Sequence, residues 1–219
     1  MIVIKMKILI SIEGNIGVGK TSLINLLQKT MSDIAEFILE PVEEWINIRD
    51  ENGKNLLETF YNDKLRWSYT FQNIAYITRM DKIISMIENS EKKIIILDRS
   101  LEADLNTFAK MLYDEKFINE IEWNAYNKWN NFFNKHFGNK FKHKIIYLRC
   151  SPNISLERIK IRNRESEKNI SFEYLQLVHN YHESWLFNNS NVLIIDADKD
   201  FVNNVQNFSF ILENINKFV

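Results

Sequence analysis

Ile8-Leu9-Ile10-Ser11-Ile12-Glu13-Gly14-Asn15-Ile16-Gly17-Val18-Gly19-Lys20-Thr21 joins a short apolar run to a glycine-rich loop. Gly14 to Thr21 fits the pattern GxxxxGK[ST], placed between a strand and a helix. Glycines let the backbone turn so that its N–H groups face phosphate oxygens, and a helix opening near Lys20 adds the positive end of its dipole. Lys20 supplies a compact charge for the β- and γ-phosphates, and the Thr21 hydroxyl is suited to Mg²⁺. Only five glycines occur in the chain, and three of them lie within these positions. The stretch therefore reads as a nucleotide-phosphate loop, which alone does not specify a kinase.

Outward from this loop, the runs Phe37–Leu39, Ile94–Leu97, Ile145–Leu148 and Val192–Ile195 join Ile8–Ile12 as short, nearly continuous apolar segments. Such runs suit strands covered on both faces, as in a parallel sheet. Helical patterns fall near 20–30, 55–61, 64–89, 101–115, 118–136, 153–163, 171–187 and 201–217. In the last, Phe201, Val205, Phe208, Ile211 and Ile215 recur at helical spacing. Strand–helix alternation predicts an α/β fold, a doubly wound five-stranded parallel sheet with helices on both faces. Ligands gather at the carboxyl ends of such strands.

With 219 residues and no Ser/Gly/Pro-rich linker, the chain reads as one domain, 1–219. Lys plus Arg (28) nearly cancels Asp plus Glu (29), so no whole-chain field argues for nucleic acid or an anionic membrane. The single cysteine, Cys150, points to a reducing compartment. Met1 to Ile10 is apolar but has no small-residue cleavage site and runs into the glycine loop, so a first strand is expected there rather than a signal peptide. No window approaches a membrane span. The expectation is a soluble, cytoplasmic protein without nucleic-acid or membrane partners.

Asp98 follows Ile94–Leu97 and is placed at a strand tip, where its carboxylate can hold Mg²⁺ directly or through water. Arg99 follows at once, and its rigid fork suits phosphate or a second carboxylate. Glu40 ends another apolar run, and Pro41 keeps it extended at the tip. A carboxylate there can accept the proton of an attacking hydroxyl.

Five motifs together resemble the deoxynucleoside kinases: Ile12–Thr21, Glu40-Pro41-Val42-Glu43-Glu44-Trp45, Trp67–Gln72, Asp98-Arg99-Ser100 and His182-Glu183-Ser184-Trp185-Leu186. Their order and spacing follow that family from about residue 7 to 203. The resemblance implies a P-loop kinase fold that carries the γ-phosphate of ATP to the 5′-hydroxyl of a deoxynucleoside, with Mg²⁺. It implies that Glu40 is the general base and that Arg99 holds that carboxylate and the reacting phosphates. Asp98 stands where many animal members have Glu, which implies a metal contact through water. A homodimer formed through helices near 101–136 is implied in the same way.

Gln72, Ala75 and Arg79, at i, i+3 and i+7, share one helix face, and Gln72 offers a donor and an acceptor together. In the family the matching Gln pairs with the base. Arg79 and Asp104 match a pair in the deoxycytidine and deoxyguanosine kinases, which implies deoxycytidine, deoxyadenosine or deoxyguanosine over thymidine. From the residues alone the same two read as an exposed ion pair of little energetic value. Trp45, Phe71 and Phe108 match residues flanking the base, and Ile16, Val42, Leu57 and Phe60 match the cavity lining. Tyr61 and Glu167 match the pair on the sugar 3′-hydroxyl. Arg158, Arg162 and Arg164 read either as a solvated basic helix end or, with the family, as an arginine lid over about 158–170. Arg158 is then expected near the adenine, with Asp200-Phe201 matching the loop that holds that base. The rivals are a thymidylate kinase-like nucleoside monophosphate kinase and a non-catalytic scaffold on the same fold. The first needs a basic site for an acceptor phosphate, and the second has no need of Lys20 or Glu40.

Overall fold

The five apolar runs form strands in a computed structural model that describes residues 6–164, 167 and 170–219. Of the expected first strand, residues 1–5 lie outside the described residues. The strands are β1 (Lys7–Glu13), β2 (Ala35–Ile38), β3 (Ile94–Asp98), β4 (Phe141–Arg149) and β5 (Val192–Asp196). The helices, in chain order, are α1 (Lys20–Met31), α2 (Val42–Asn47), α3 (Leu56–Asn62), α4 (Lys64–Asn89), α5 (Leu101–Ala103), α6 (Lys110–Asp114), α7 (Glu120–Phe137), α8 (Pro152–Arg162), α9 (Phe172–Leu186) and α10 (Val205–Phe218). A π-helical turn, Asp104–Ala109, joins α5 to α6.

All pairings in the sheet are parallel, in the order β2-β3-β1-β4-β5. The chain fills one side of β1 with β3 and β2, then crosses to the other side for β4 and β5. This reversal opens a crevice beyond the carboxyl end of β1, where the phosphate loop lies.

Strand alternation divides the core. Ile10 and Ile12 pack with Leu23, Leu27, Ile211 and Ile215 on the face covered by α1 and α10. Leu9 packs with Ile83, Ile87, Tyr126 and Phe133 on the face covered by α4 and α7. A third cluster, including Trp45, Phe60, Phe71 and Leu112, lies under α2, α3 and α4 and walls the crevice.

Five features depart from the sequence reading. The β4 strand starts at Phe141, four residues before the run Ile145–Leu148. Helix α10 starts at Val205, so Phe201 lies outside the helix expected over 201–217. The β2 strand ends at Ile38, so Leu39 is half exposed (49%) rather than part of the run. A short helix, α2, starts directly after Pro41, with Glu43 and Glu44 complementing its dipole in the first turn. The helix expected over 101–115 contains the π turn, a feature that often marks functional sites.

Candidate active site

The phosphate loop leaves β1 at Gly14 and enters α1 at Lys20. Gly17 has φ +81°, and a Cβ there would stand 2.6 Å from the Ser155 carbonyl oxygen, so the loop has no room for a side chain. Asn15 anchors the loop: its amide donates to Leu175 O (2.7 Å) and its Oδ1 accepts from Ile16 N–H (2.8 Å). Lys20 Nζ donates to Gly14 O (3.1 Å) and Asn15 O (2.7 Å), inside the loop it belongs to. Burial, reinforced by the Arg99 charge, pushes the Lys20 amine down to about 7 against the pull of Asp98, Glu40 and Glu13.

Not every loop-associated residue faces the crevice. The Val18 side chain is fully buried in the core, so only its backbone is offered to a phosphate. Phe201 is also core and packs behind Gly19. Arg158 donates to Ala197 O (2.7 Å) and Val18 O (3.3 Å), tying the loop to the chain after β5. Asp200 accepts the Val202 and Asn203 N–H groups in the following turn. These last three residues therefore sit on the outer side of the phosphate loop, away from the cavity.

Asp98 ends β3 and Arg99 follows it, while Glu40 lies two residues beyond the end of the adjacent β2, all beside the loop from β1. Glu40 Oε1 meets Arg79 Nη2 at 3.2 Å and Arg99 Nε at 3.6 Å. Burial works against its charge, but Arg99, Arg79 and Lys20 together outweigh that and hold the carboxyl below its ordinary value. Asp98 goes the other way: burial, with Glu40 adding to it, raises its pKa despite Lys20, Arg99 and Arg79. Its Oδ1 is buried and has no hydrogen-bond partner among the described residues. Arg99 stacks over the Phe108 ring at 4.7 Å.

Arg79 lies behind the cavity wall. Its Nε donates to Asp104 Oδ2 (2.8 Å), its Nη1 to Asp98 O (2.6 Å) and its Nη2 to Glu40. The side chains of Arg79 and Asp104 are 2% and 5% exposed, so the exposed-pair reading of these two fails. Burial raises the Asp104 pKa although Arg79 opposes it.

In front of this array is a cavity of about 240 Å³. Ile16, Gly17, Lys20, Thr21, Glu40, Asp98 and Arg99 form one end, and Val42, Trp45, Leu57, Phe60, Phe71, Gln72, Ala75, Asp104 and Phe108 the other. Phe60 stacks on Phe71 at 4.5 Å, and Trp45 meets Phe71 edge-on at 5.3 Å. Trp45 is fixed by its Nε1–H donating to Thr78 Oγ1 (3.0 Å). Gln72 is buried on the wall, with Oε1 unpartnered among the described residues. Tyr61, Arg162, Arg164 and Glu167 close the remaining side. Arg162 pairs with Glu167 at 2.6 Å and Arg164 with Glu167 at 3.8 Å. Of the expected lid, residues 165, 166, 168 and 169 lie outside the described residues. The cavity also meets Met111, Leu112, Ile170 and Tyr174, which the sequence reading did not single out. Met111 and Leu112 continue the helical spacing of Asp104 and Phe108, a signal that was present; Tyr174 carried none.

Fold and site together define a P-loop phosphotransferase with an aromatic-walled cavity beside the phosphate loop. The family model described as deoxynucleoside kinase matches residues 10–219. Similar proteins include a probable deoxycytidine kinase of fowlpox virus, 39% identical over 96% of this chain and 87% of its own length. Human deoxycytidine kinase is 34% identical over 88% of this chain and 84% of its own length. The mitochondrial deoxyguanosine kinase of Xenopus laevis is 33% identical over 89% and 83%. The chain belongs to the deoxynucleoside kinase family. The monophosphate kinase and scaffold alternatives are not favoured. Among the described residues, no helix is long and apolar enough to cross a membrane.

Proposed function

We propose that this chain transfers the γ-phosphate of ATP to the 5′-hydroxyl of deoxycytidine, deoxyadenosine or deoxyguanosine in preference to thymidine. The observation that carries this reading is the grip on Glu40. Both arginines hold the same oxygen, Oε1, and Oε2 takes no hydrogen bond among the described residues. An ionised carboxylate with one pinned and one free oxygen, beside a cavity and a phosphate loop, is placed to accept a hydroxyl proton.

The roles follow from position. Lys20 and the loop backbone hold the β- and γ-phosphates, while Arg162 and Arg164 offset charge on the transferring group as the lid closes. Arg99 spans the Glu40 carboxylate and the phosphate. Gln72 and Asp104, backed by Arg79, read the base edge between Trp45, Phe71 and Phe108. Tyr61 and Glu167 hold the 3′-hydroxyl. Arg158, Asp200 and Phe201 form the adenine side. Thr21 and Asp98 would hold Mg²⁺, and the unpartnered Asp98 Oδ1 fits that demand. When bound, Mg²⁺ neutralises charge on the β- and γ-phosphates.

The names of the relatives favour deoxycytidine as the first substrate to try. We further infer a cytoplasmic enzyme of one domain, 1–219, that works as a homodimer. The exposed Ile121, Trp129 and Phe132 of α7 support the dimer. Phosphorylation of the four deoxynucleosides with ATP and Mg²⁺ tests the reading. Deoxycytidine, deoxyadenosine or deoxyguanosine should lead, and Glu40→Ala should lose about 10²–10⁴-fold in kcat while still binding ATP. Thymidine leading by a wide margin, or an unimpaired Glu40→Ala, would overturn it.

A further inference from the structure

Asp98 and Arg99 are consecutive, yet both reach the same cavity. In a continuing strand they would face opposite sides of the sheet. The chain resolves this by placing Arg99 at φ +70°, a conformation that side-chain-bearing residues rarely adopt. Strained backbone of this kind persists only where its surroundings over-determine it.

Those surroundings come from β1. Ile12 stands level with Asp98 in the parallel register, so Glu13 lies level with Arg99. The ladder ends with Arg99 N–H donating to Ile12 O at 3.3 Å. The next N–H, of Ser100, donates to Glu13 Oε1 at 2.8 Å. Arg99 Nη1 also donates to Gly14 O at 3.0 Å, immediately after Glu13. Ser100 Oγ in turn accepts from Ala103 N–H and starts the helix that leads to Asp104. Glu13 is fully buried, and burial raises its carboxyl pKa. A fully buried carboxyl group that touches no part of the cavity needs an explanation other than substrate contact.

We infer that Glu13 is a positioning residue for phosphoryl transfer: its carboxyl oxygen replaces the sheet ladder at Ser100 and locks the left-handed turn that aims Asp98 and Arg99 at the reacting phosphate. The base wall, built from α2, α3, α4 and the π turn, makes no hydrogen bond to the Glu13 carboxyl, whose partner is Ser100. Loss of the lock therefore acts on the chemical step and leaves nucleoside binding in place.

The inference rests on the kinase reading, and the experiment separates the two. Full-length wild type, Glu13→Gln and Glu13→Leu are compared for kcat with ATP and deoxycytidine, for deoxycytidine Kd by calorimetry, and for thermal unfolding. Glu13→Gln keeps a carbonyl acceptor of the same shape, and Glu13→Leu removes it. The expected result is a kcat loss of about 10²-fold in Glu13→Leu, the size of an ångström-scale misplacement. The Kd should stay within about threefold, and Glu13→Gln should recover most of the kcat. A Glu13→Leu kcat within about twofold of wild type, or a Kd that weakens in step with kcat, overturns the inference. Glu13→Gln no better than a folded Glu13→Leu also overturns it. If Glu13→Leu fails to fold, Glu13→Gln decides alone: near-wild-type kcat supports the acceptor role, and a loss near 10²-fold overturns it. A wild type that phosphorylates no deoxynucleoside would instead sink the kinase reading.

Discussion

Arg79→Leu probes the energetics of the site most directly. The guanidinium is 2% exposed and serves the carboxylates of Asp104 and Glu40 and the carbonyl of Asp98. Removing it strands Asp104, whose side chain is 5% exposed, whereas Glu40 is 29% exposed and keeps Arg99. Breaking one partner of a buried pair costs about 3–5 kcal/mol, and at these exposures no discount for solvent screening applies. For a chain of this size that is a fall in Tm of roughly 6–20 °C. The loss depends on pH. Asp104 already has a raised pKa in the folded protein, and removing the arginine that opposes this raises it further. An acid with a folded pKa above its unfolded value of about 3.9 favours folding below that value and loses the advantage as pH rises towards the folded pKa, by up to about 1.4 kcal/mol per pH unit. The variant should therefore be most destabilised at pH 8 and less so at pH 5. Arg79→Leu/Asp104→Leu leaves no stranded partner within the pair and should recover most of the stability, though not the activity. Urea unfolding followed by circular dichroism at pH 5, 6.5 and 8 measures all three. A deficit below about 1 kcal/mol at pH 8, a deficit that grows on acidification, or a double variant no better than the single one would refute the reasoning.

Two further outcomes follow from the phosphate loop. Because burial and the Arg99 charge push Lys20 down to about 7, ATP binding at pH 8 should take up close to one proton, and binding at pH 6 almost none. Calorimetry in buffers of different ionisation enthalpy measures this, and zero uptake at pH 8 contradicts it. Gly17→Ala must force a side chain into φ +81° and against the Ser155 carbonyl, so it should cost more than about 1–2 kcal/mol and weaken ATP binding. An unchanged melting curve and ATP affinity would show that the loop has more room than its geometry implies.

The parts legible in the sequence are those whose physics is local. Strands covered on both faces are apolar over most of their covered length, so a run marked each of the five, while the polar start of β4, Lys142-His143-Lys144, gave no such signal. The loop at Gly14–Thr21 and the Asp98-Arg99 pair announce themselves by residue type. Short or irregular elements do not: α2 has six residues, too few for a helical period to repeat, and Pro41 marks a strand end as readily as a helix start. The π turn is equally silent, because Asp104 and Phe108 look like ordinary helical neighbours. The sharing of Glu40 by two arginines was beyond reach, since Arg79 lies 39 positions away and only the sheet order brings them together.

Arg79 also shows why residue type alone underdetermines a site. Helical spacing puts it on the same face as Gln72 and Ala75, which favours direct base contact. In the fold it stands one layer behind them, holding Asp104 on one side and Glu40 on the other. One buried guanidinium thus carries the electrostatics of both ends of the cavity. The carboxylates of Asp104 and Glu40 are parts of a single charge network, in which three acids, Glu40, Asp98 and Asp104, are balanced by Arg79, Arg99 and Lys20. Glu40 is held low because Arg99, Arg79 and Lys20 outweigh its burial, whereas at Asp98 and Asp104 burial dominates and the Glu40 charge adds to it, so both are pushed up.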